Sequence, residues 1–168
     1  QEVARRASAF GMHLIAHDPF ISEHVAQDLG IELLSIDELF ARADYISLHM
    51  PSNASTRHIV NTQLLSHARK GIRLVNTARG DLIDENALAD AIESGHVAGA
   101  ALDVTDPEPL PADNPLLSLD NCLVVPHVGS ASIATRTRMA TLAADNITAF
   151  LSGQRPPTLV NPEVLSKG

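Results

Sequence analysis

The chain has 168 residues, 45% of them hydrophobic and 19% charged, enough apolar material for one globular domain with a real core. Twenty acidic against twelve basic residues give a net charge of −8, so the basic patch of a nucleic-acid binder is missing, and 3% aromatic residues leave little for base stacking. No apolar run approaches the roughly 18 residues of a membrane span, no signal peptide opens the chain, and the single Cys122 lacks a partner for a disulfide or a CxxC metal or redox site. The expectation is a cytoplasmic protein without a metal and without nucleic-acid or membrane partners.

Runs rich in Val, Ile and Leu alternate with helix-period stretches, the pattern of βα units on a parallel sheet. Residues 1–10 place Val3, Ala4, Ala7 and Phe10 on one helical face, and Gly11 ends the helix. Strands are predicted at 12–17 and 31–34. Ser35 caps a helix running to Arg42, with Asp37 and Glu38 in its first turn, where the dipole favours negative charge. A strand at 45–49 is closed by Pro51, a helix spans 62–69, and a strand follows at 72–76. Asp84 caps a helix to Ser94, and the strand 97–104 contains Gly99, which permits close packing. The loop 105–115 holds four prolines; a short strand at 123–125 follows, and then the longest helix, 130–151, with Met139, Leu142, Ala143, Ile147 and Phe150 on its inner side. The polar, Pro-rich stretch 153–168 is expected to leave the domain.

Several positions carry chemistry. Asp18 ends a strand, where dinucleotide-binding folds hold the acid that bonds the adenosine ribose; the plainer role is a turn former. Arg79, in Val75-Asn76-Thr77-Ala78-Arg79-Gly80-Asp81, follows a strand end where open α/β sheets bind ligands, and its guanidinium suits a carboxylate; the competing reading pairs it with Asp81 or Asp84. Asp103, Glu108 and His127 form a third set, since a carboxylate beside a histidine makes a general acid/base pair. His127 stands out because Pro126 precedes it and Gly129 and Ser130 follow, opening the long helix. The remaining histidines other than His49 are read as surface or packing residues. His49 and Pro51 can line the same cleft, and Thr56 can cap a turn or bind a phosphate. Cys122 is read as an inert, half-buried residue.

In order along the chain, Val3-Ala4-Arg5-Arg6-Ala7, Asp18-Pro19, Leu48-His49-Met50-Pro51, Asn76-Thr77-Ala78-Arg79-Gly80, Ala101-Leu102-Asp103-Val104, Pro107-Glu108-Pro109-Leu110 and Pro126-His127-Val128-Gly129-Ser130 resemble the NAD-binding domain of the D-2-hydroxyacid dehydrogenase family. The stretch after Asp103 and the tail Pro157-Thr158-Leu159-Val160-Asn161 look like its glyoxylate and hydroxypyruvate reductase branch, with the phosphoglycerate dehydrogenase branch as runner-up. The resemblance implies a Rossmann-like, doubly wound parallel sheet lacking the first strand and the glycine loop. It further implies an NAD-binding domain over 1–152, a tail over 153–168 returning toward an absent substrate domain, and a missing N-terminal piece. The implied cofactor is NAD, the substrate a small 2-oxo or 2-hydroxy acid, the assembly a homodimer. Arg79, Glu108 and His127 are implied as catalytic: Arg79 on the substrate carboxylate, His127 on the proton, Glu108 orienting His127. Asp18, His49, Pro51, Thr56, Thr77, Ala78, Arg79, Asp103, His127, Gly129 and Ser130 are implied to bind the cofactor. A non-catalytic, NAD-sensing relative is the alternative from another functional class. The 168 residues alone are expected to be inactive, since an unpaired central strand position would leave buried backbone groups unsatisfied.

Overall fold

In the computed structural model, which describes residues 1–166, helices and strands alternate within two compact units, residues 1–126 and residues 127–168. The first unit contains α1 (Glu2–Ala9), β1 (Leu14–Ala16), α2 (Glu23–Asp28), β2 (Ile31–Leu33), α3 (Ile36–Arg42) and β3 (Tyr45–Leu48). It continues with α4 (Thr62–His67), β4 (Ile72–Asn76), α5 (Glu85–Glu93), β5 (Val97–Leu102) and β6 (Cys122–Val124). The unit boundary at Pro126 follows the contacts, whereas the boundary at 152 drawn from the sequence follows a change in composition.

Local chemistry sets the helix starts. Ser35 and Glu38 form the reciprocal capping box at α3, Asp84 accepts from the Asn86 and Ala87 N–H groups at α5, and Asn61 accepts from Leu64 N–H at α4. The sequence reading missed α2. That helix has six residues and one buried side chain, Ala26, too short for a readable period; its signal was Ser22, which accepts from Val25 N–H. A short 3-10 helix at Pro115–Ser118, capped by Asn114, was missed for the same reason.

All strand pairs are parallel, in two separate sheets: β1 beside β2, and β3-β4-β5-β6 in that order. Among the described residues, β1 and β3 each keep one edge without a strand neighbour. A strand inserted between them would give the continuous doubly wound order with these two flanking its centre.

Register places Ile46, Leu74, Ala100 and Cys122 in one cross-strand row and Leu48, Asn76, Leu102 and Val124 in the next row on the same face. These rows form one core with Phe40 of α3, Leu64 and Leu65 of α4, and Leu88 and Ile92 of α5. The opposite face carries the exposed Tyr45, Ser47, Arg73 and Leu123, and the Arg73 guanidinium lies over the Tyr45 ring at 5.5 Å. β3 and β4 therefore alternate in burial, unlike the continuous apolar run of a strand covered on both faces. Gly99 fits its position because a Cβ would meet the Asn121 carbonyl oxygen at 2.7 Å.

The second unit is built on α6 (Ile133–Leu151), capped by Ser132, which accepts from Thr135 N–H. The helix therefore starts three residues later than predicted, leaving Gly129 and Ser130 in the turn ahead of it. Its supposed inner side is exposed: Met139, Leu142, Ile147 and Phe150 all face outward, and no α6 residue is buried. On the predicted face of α1, Ala4 and Ala7 are half-buried, while Val3 and the capping residue Phe10 are exposed. Asn146 donates to Thr158 Oγ1 at 2.7 Å and accepts from Thr158 N–H at 3.1 Å, Pro156 is buried, and a short 3-10 helix follows at Pro162–Ser166. Residues 167 and 168 of the expected tail lie outside the described residues.

Candidate active site

The end of β4 is shaped by Asn76. Its side chain is wholly buried; the amide Nδ2 donates to the Arg79 carbonyl at 2.8 Å, and Oδ1 accepts from Ala78 N–H at 3.0 Å. Its own backbone carbonyl accepts from Asp103 N–H at 2.9 Å, tying the ends of β4 and β5 together. One amide thus fixes the turn 77–79 with both polar atoms satisfied, as a buried polar group requires.

That turn forms one wall of a cavity of about 480 Å³, lined by His49, Met50, Pro51, Ser52, Thr77, Ala78 and Arg79. The cavity lies at the carboxyl ends of β3 and β4, where open α/β sheets take ligands. Arg79 is exposed and donates to the Ala78 carbonyl at 2.6 Å. It pairs with neither neighbouring acid. Asp81 accepts from Ser52 Oγ at 2.6 Å and from Arg57 at 3.4 Å, and Asp84 caps α5. The competing reading of Arg79 as a partner of Asp81 or Asp84 therefore fails. Partial burial pushes the His49 imidazole below its ordinary pKa, so that it is neutral at neutral pH and leaves Arg79 as the cleft's cation.

The Pro-rich loop runs directly beside this turn. A Cβ on Gly80 would lie 2.0 Å from the Thr105 carbonyl carbon and 2.6 Å from the Asp106 nitrogen, so only glycine permits the two backbones to pass. Arg57 links the same two segments, reaching Asp106 at 3.2 Å as well as Asp81. Asp103 is buried just past β5, outside the cavity lining, and Glu108 is exposed within the loop. Cys122 behaves as expected: burial and the negative charge of Glu85 push its thiol up to about 11, which keeps it protonated and unreactive.

Asp18 stands two residues beyond β1, exposed, with Oδ1 accepting from Phe20 N–H at 2.9 Å; this turn leaves the carboxylate at the sheet's carboxyl end. His17 donates from Nδ1 to the Leu34 carbonyl at 3.0 Å. Thr56 closes its own loop, donating to the Pro51 carbonyl at 2.8 Å and accepting from Asn53 N–H at 2.9 Å; these are capping bonds. In the second unit His127 has φ +51°, a left-handed conformation that costs a non-glycine residue free energy and that concentrates at functional sites. Gly129 and Ser130 lie in the turn that follows, closed by Ala131 N–H on the Val128 carbonyl. The sequence reading missed Asn76, Ser52 and Arg57. Their bonds join residues far apart in the chain or within a turn, and only Asn76 offered a signal, as an amide at the end of an otherwise apolar strand.

Parallel strands flanked by helices, with a cleft at their carboxyl ends and an acid beyond β1, define a Rossmann-like dinucleotide-binding domain. The family described as D-isomer specific 2-hydroxyacid dehydrogenase, NAD binding domain, matches residues 1–129, and the chain belongs to it. It is 43% identical over 163 residues to the glyoxylate reductase of Korarchaeum cryptofilum (strain OPF8), covering 97% of this chain and 49% of that protein. It is 44% identical to the D-3-phosphoglycerate dehydrogenase of Mycobacterium leprae (strain TN), covering 96% of this chain and 30% of that one. Among solved structures, a glyoxylate reductase from Paecilomyes thermophila superposes with a TM-score of 0.85 at 41% identity, over 97% of this chain and 49% of that chain. The chain thus spans half or less of the length of these relatives. No helix among the described residues is long and apolar enough to cross a membrane.

Proposed function

We propose that the protein reduces a small 2-oxo acid, glyoxylate or hydroxypyruvate, to the D-2-hydroxy acid with NADH. The observation that carries this reading is Arg79: a guanidinium in the strand-end cleft that leaves both neighbouring acids to other partners. A bidentate grip on the substrate carboxylate presents one face of the carbonyl for reaction. NADH, when bound, supplies the hydride to the carbonyl carbon. His127 polarises the carbonyl and delivers a proton to its oxygen, and Glu108 is assigned to orient that imidazole. The cleft suits the cofactor, with His49, Pro51, Thr77 and Ala78 in its lining; the Asp18 carboxylate, outside that lining at the end of β1, is assigned to the ribose hydroxyls. Asp103, Gly129 and Ser130 are assigned to the nicotinamide end, and Thr56 shapes the loop beside it.

Residues 1–152 serve as NAD-binding domain and 153–168 lead toward a substrate domain, in a cytoplasmic homodimer. A phosphoglycerate dehydrogenase is the second reading, favoured by relatives of that name at 44% identity. NADH oxidation by the enzyme carrying this domain, with glyoxylate and hydroxypyruvate, tests the first reading; NAD reduction with 3-phosphoglycerate tests the second. Absence of turnover with every acid, alongside tight NADH binding, would identify a sensor instead.

The cofactor choice gives a prediction. No Lys or Arg occurs among Pro19–Glu23, so nothing offsets the charge of Asp18 against a 2′-phosphate. The kcat/KM with NADH should exceed that with NADPH by about tenfold or more, because like-charge juxtaposition is costly. Asp18→Asn should narrow the gap, and equal values for the unaltered enzyme would contradict the assignment.

A further inference from the structure

The loop that carries Glu108 is stiffened by its prolines, but pyrrolidine rings only restrict conformation; they do not fasten a loop to a sheet. The fastening comes from Glu85, the first residue of α5. Its Oε1 accepts from the Asp106 N–H at 2.9 Å, and its Oε2 accepts from Asn114 Nδ2 at 3.1 Å. One carboxylate thus holds both ends of the span 106–114, and Glu108 lies inside that span. Asn114 passes the constraint on, since its Oδ1 accepts from Leu116 N–H at 3.0 Å and starts the short 3-10 helix there. At the loop's other flank, the Thr105–Asp106 backbone abuts Gly80, which follows Arg79 directly.

An acid in the first turn of a helix is ordinarily a partner of the helix dipole. Glu85 is half-buried, and each oxygen makes a charge-assisted bond to a different point of the same loop. Dipole pairing alone asks for neither contact.

We propose that Glu85 is a positioning residue, which fixes the loop that carries Glu108 while touching neither substrate nor cofactor. The proposal rests on the assignment of Glu108 and His127 made above. In the enzyme carrying this domain, Glu85→Ala should lower kcat by roughly 10- to 100-fold while the KM for the 2-oxo acid and the Kd for NADH stay within about twofold, since misplacing a catalytic group by about 1 Å has that scale of effect. Glu85→Gln keeps one acceptor oxygen for the Asp106 N–H and should fall between the two. Glu108→Gln is measured alongside. A low kcat in Glu108→Gln together with an unchanged kcat in Glu85→Ala overturns the proposal. An unchanged kcat in both overturns instead the reading of Glu108. A rise in KM and Kd together, the mark of a generally loosened domain, also overturns the positioning role. If Glu85→Ala does not fold, Glu85→Gln decides, and a kcat equal to that of the unaltered enzyme counts against the proposal.

Discussion

His127→Ala, in the enzyme carrying this domain, is expected to lower kcat by roughly 100- to 10,000-fold, the usual worth of a general acid, while NADH binding stays nearly intact. The reaction requires a proton at the oxygen as the carbonyl carbon is reduced, and no other histidine follows the carboxyl end of β6 so directly. Arg79→Ala should behave differently. Its contact with the substrate carboxylate exists before and during the reaction, so KM rises steeply as well as kcat falling. Steady-state kinetics beside NADH fluorescence titration separates the two variants. Near-normal kcat in His127→Ala would remove it as the acid.

Gly80→Ala is the second large effect. The added methyl would lie 2.0 Å from the Thr105 carbonyl carbon, and the obstruction is backbone, so no rotamer change relieves it. Overpacking of this kind costs about 3 kcal/mol or more, a fall in Tm of roughly 6–12 °C for a chain of this size. The damage also moves two functional segments apart, because the Arg79 turn and the Glu108 loop touch at this point. Calorimetry and kcat/KM should therefore fall together, with at least a 100-fold loss in the latter. A variant with unchanged Tm would mean that the two backbones separate without cost.

The sequence was legible where the determinants are local. Ser35 with Glu38, and Asp84, announce their helices within four residues, and β4 has the bounds that were predicted for it. Arg79 stood out through its place after a strand end. Contacts between distant segments were not legible. Glu85 meets Asp106 and Asn114 across 21 and 29 residues, and Ser52 meets Asp81 across 29. No periodicity encodes such pairs. The need for glycine at position 80 likewise arises from a loop 25 residues downstream rather than from its own backbone angles. The exposed apolar residues of α6 show the converse limit: helical period reports which side is apolar, while burial depends on what lies against it.

The outward stripe of α6 also bears on how the protein behaves in solution. Ile147 and Phe150 are more than half exposed on a chain of net charge −8. Two tendencies are thereby set against each other: sticky side chains draw copies together, and shared negative charge keeps them apart. Acid or concentrated kosmotropic salt weakens the second, and such salt strengthens the first. Colloidal stability is therefore a property of pH and ionic strength as much as of the fold, and low-salt, mildly alkaline buffers are where this surface is best kept dispersed.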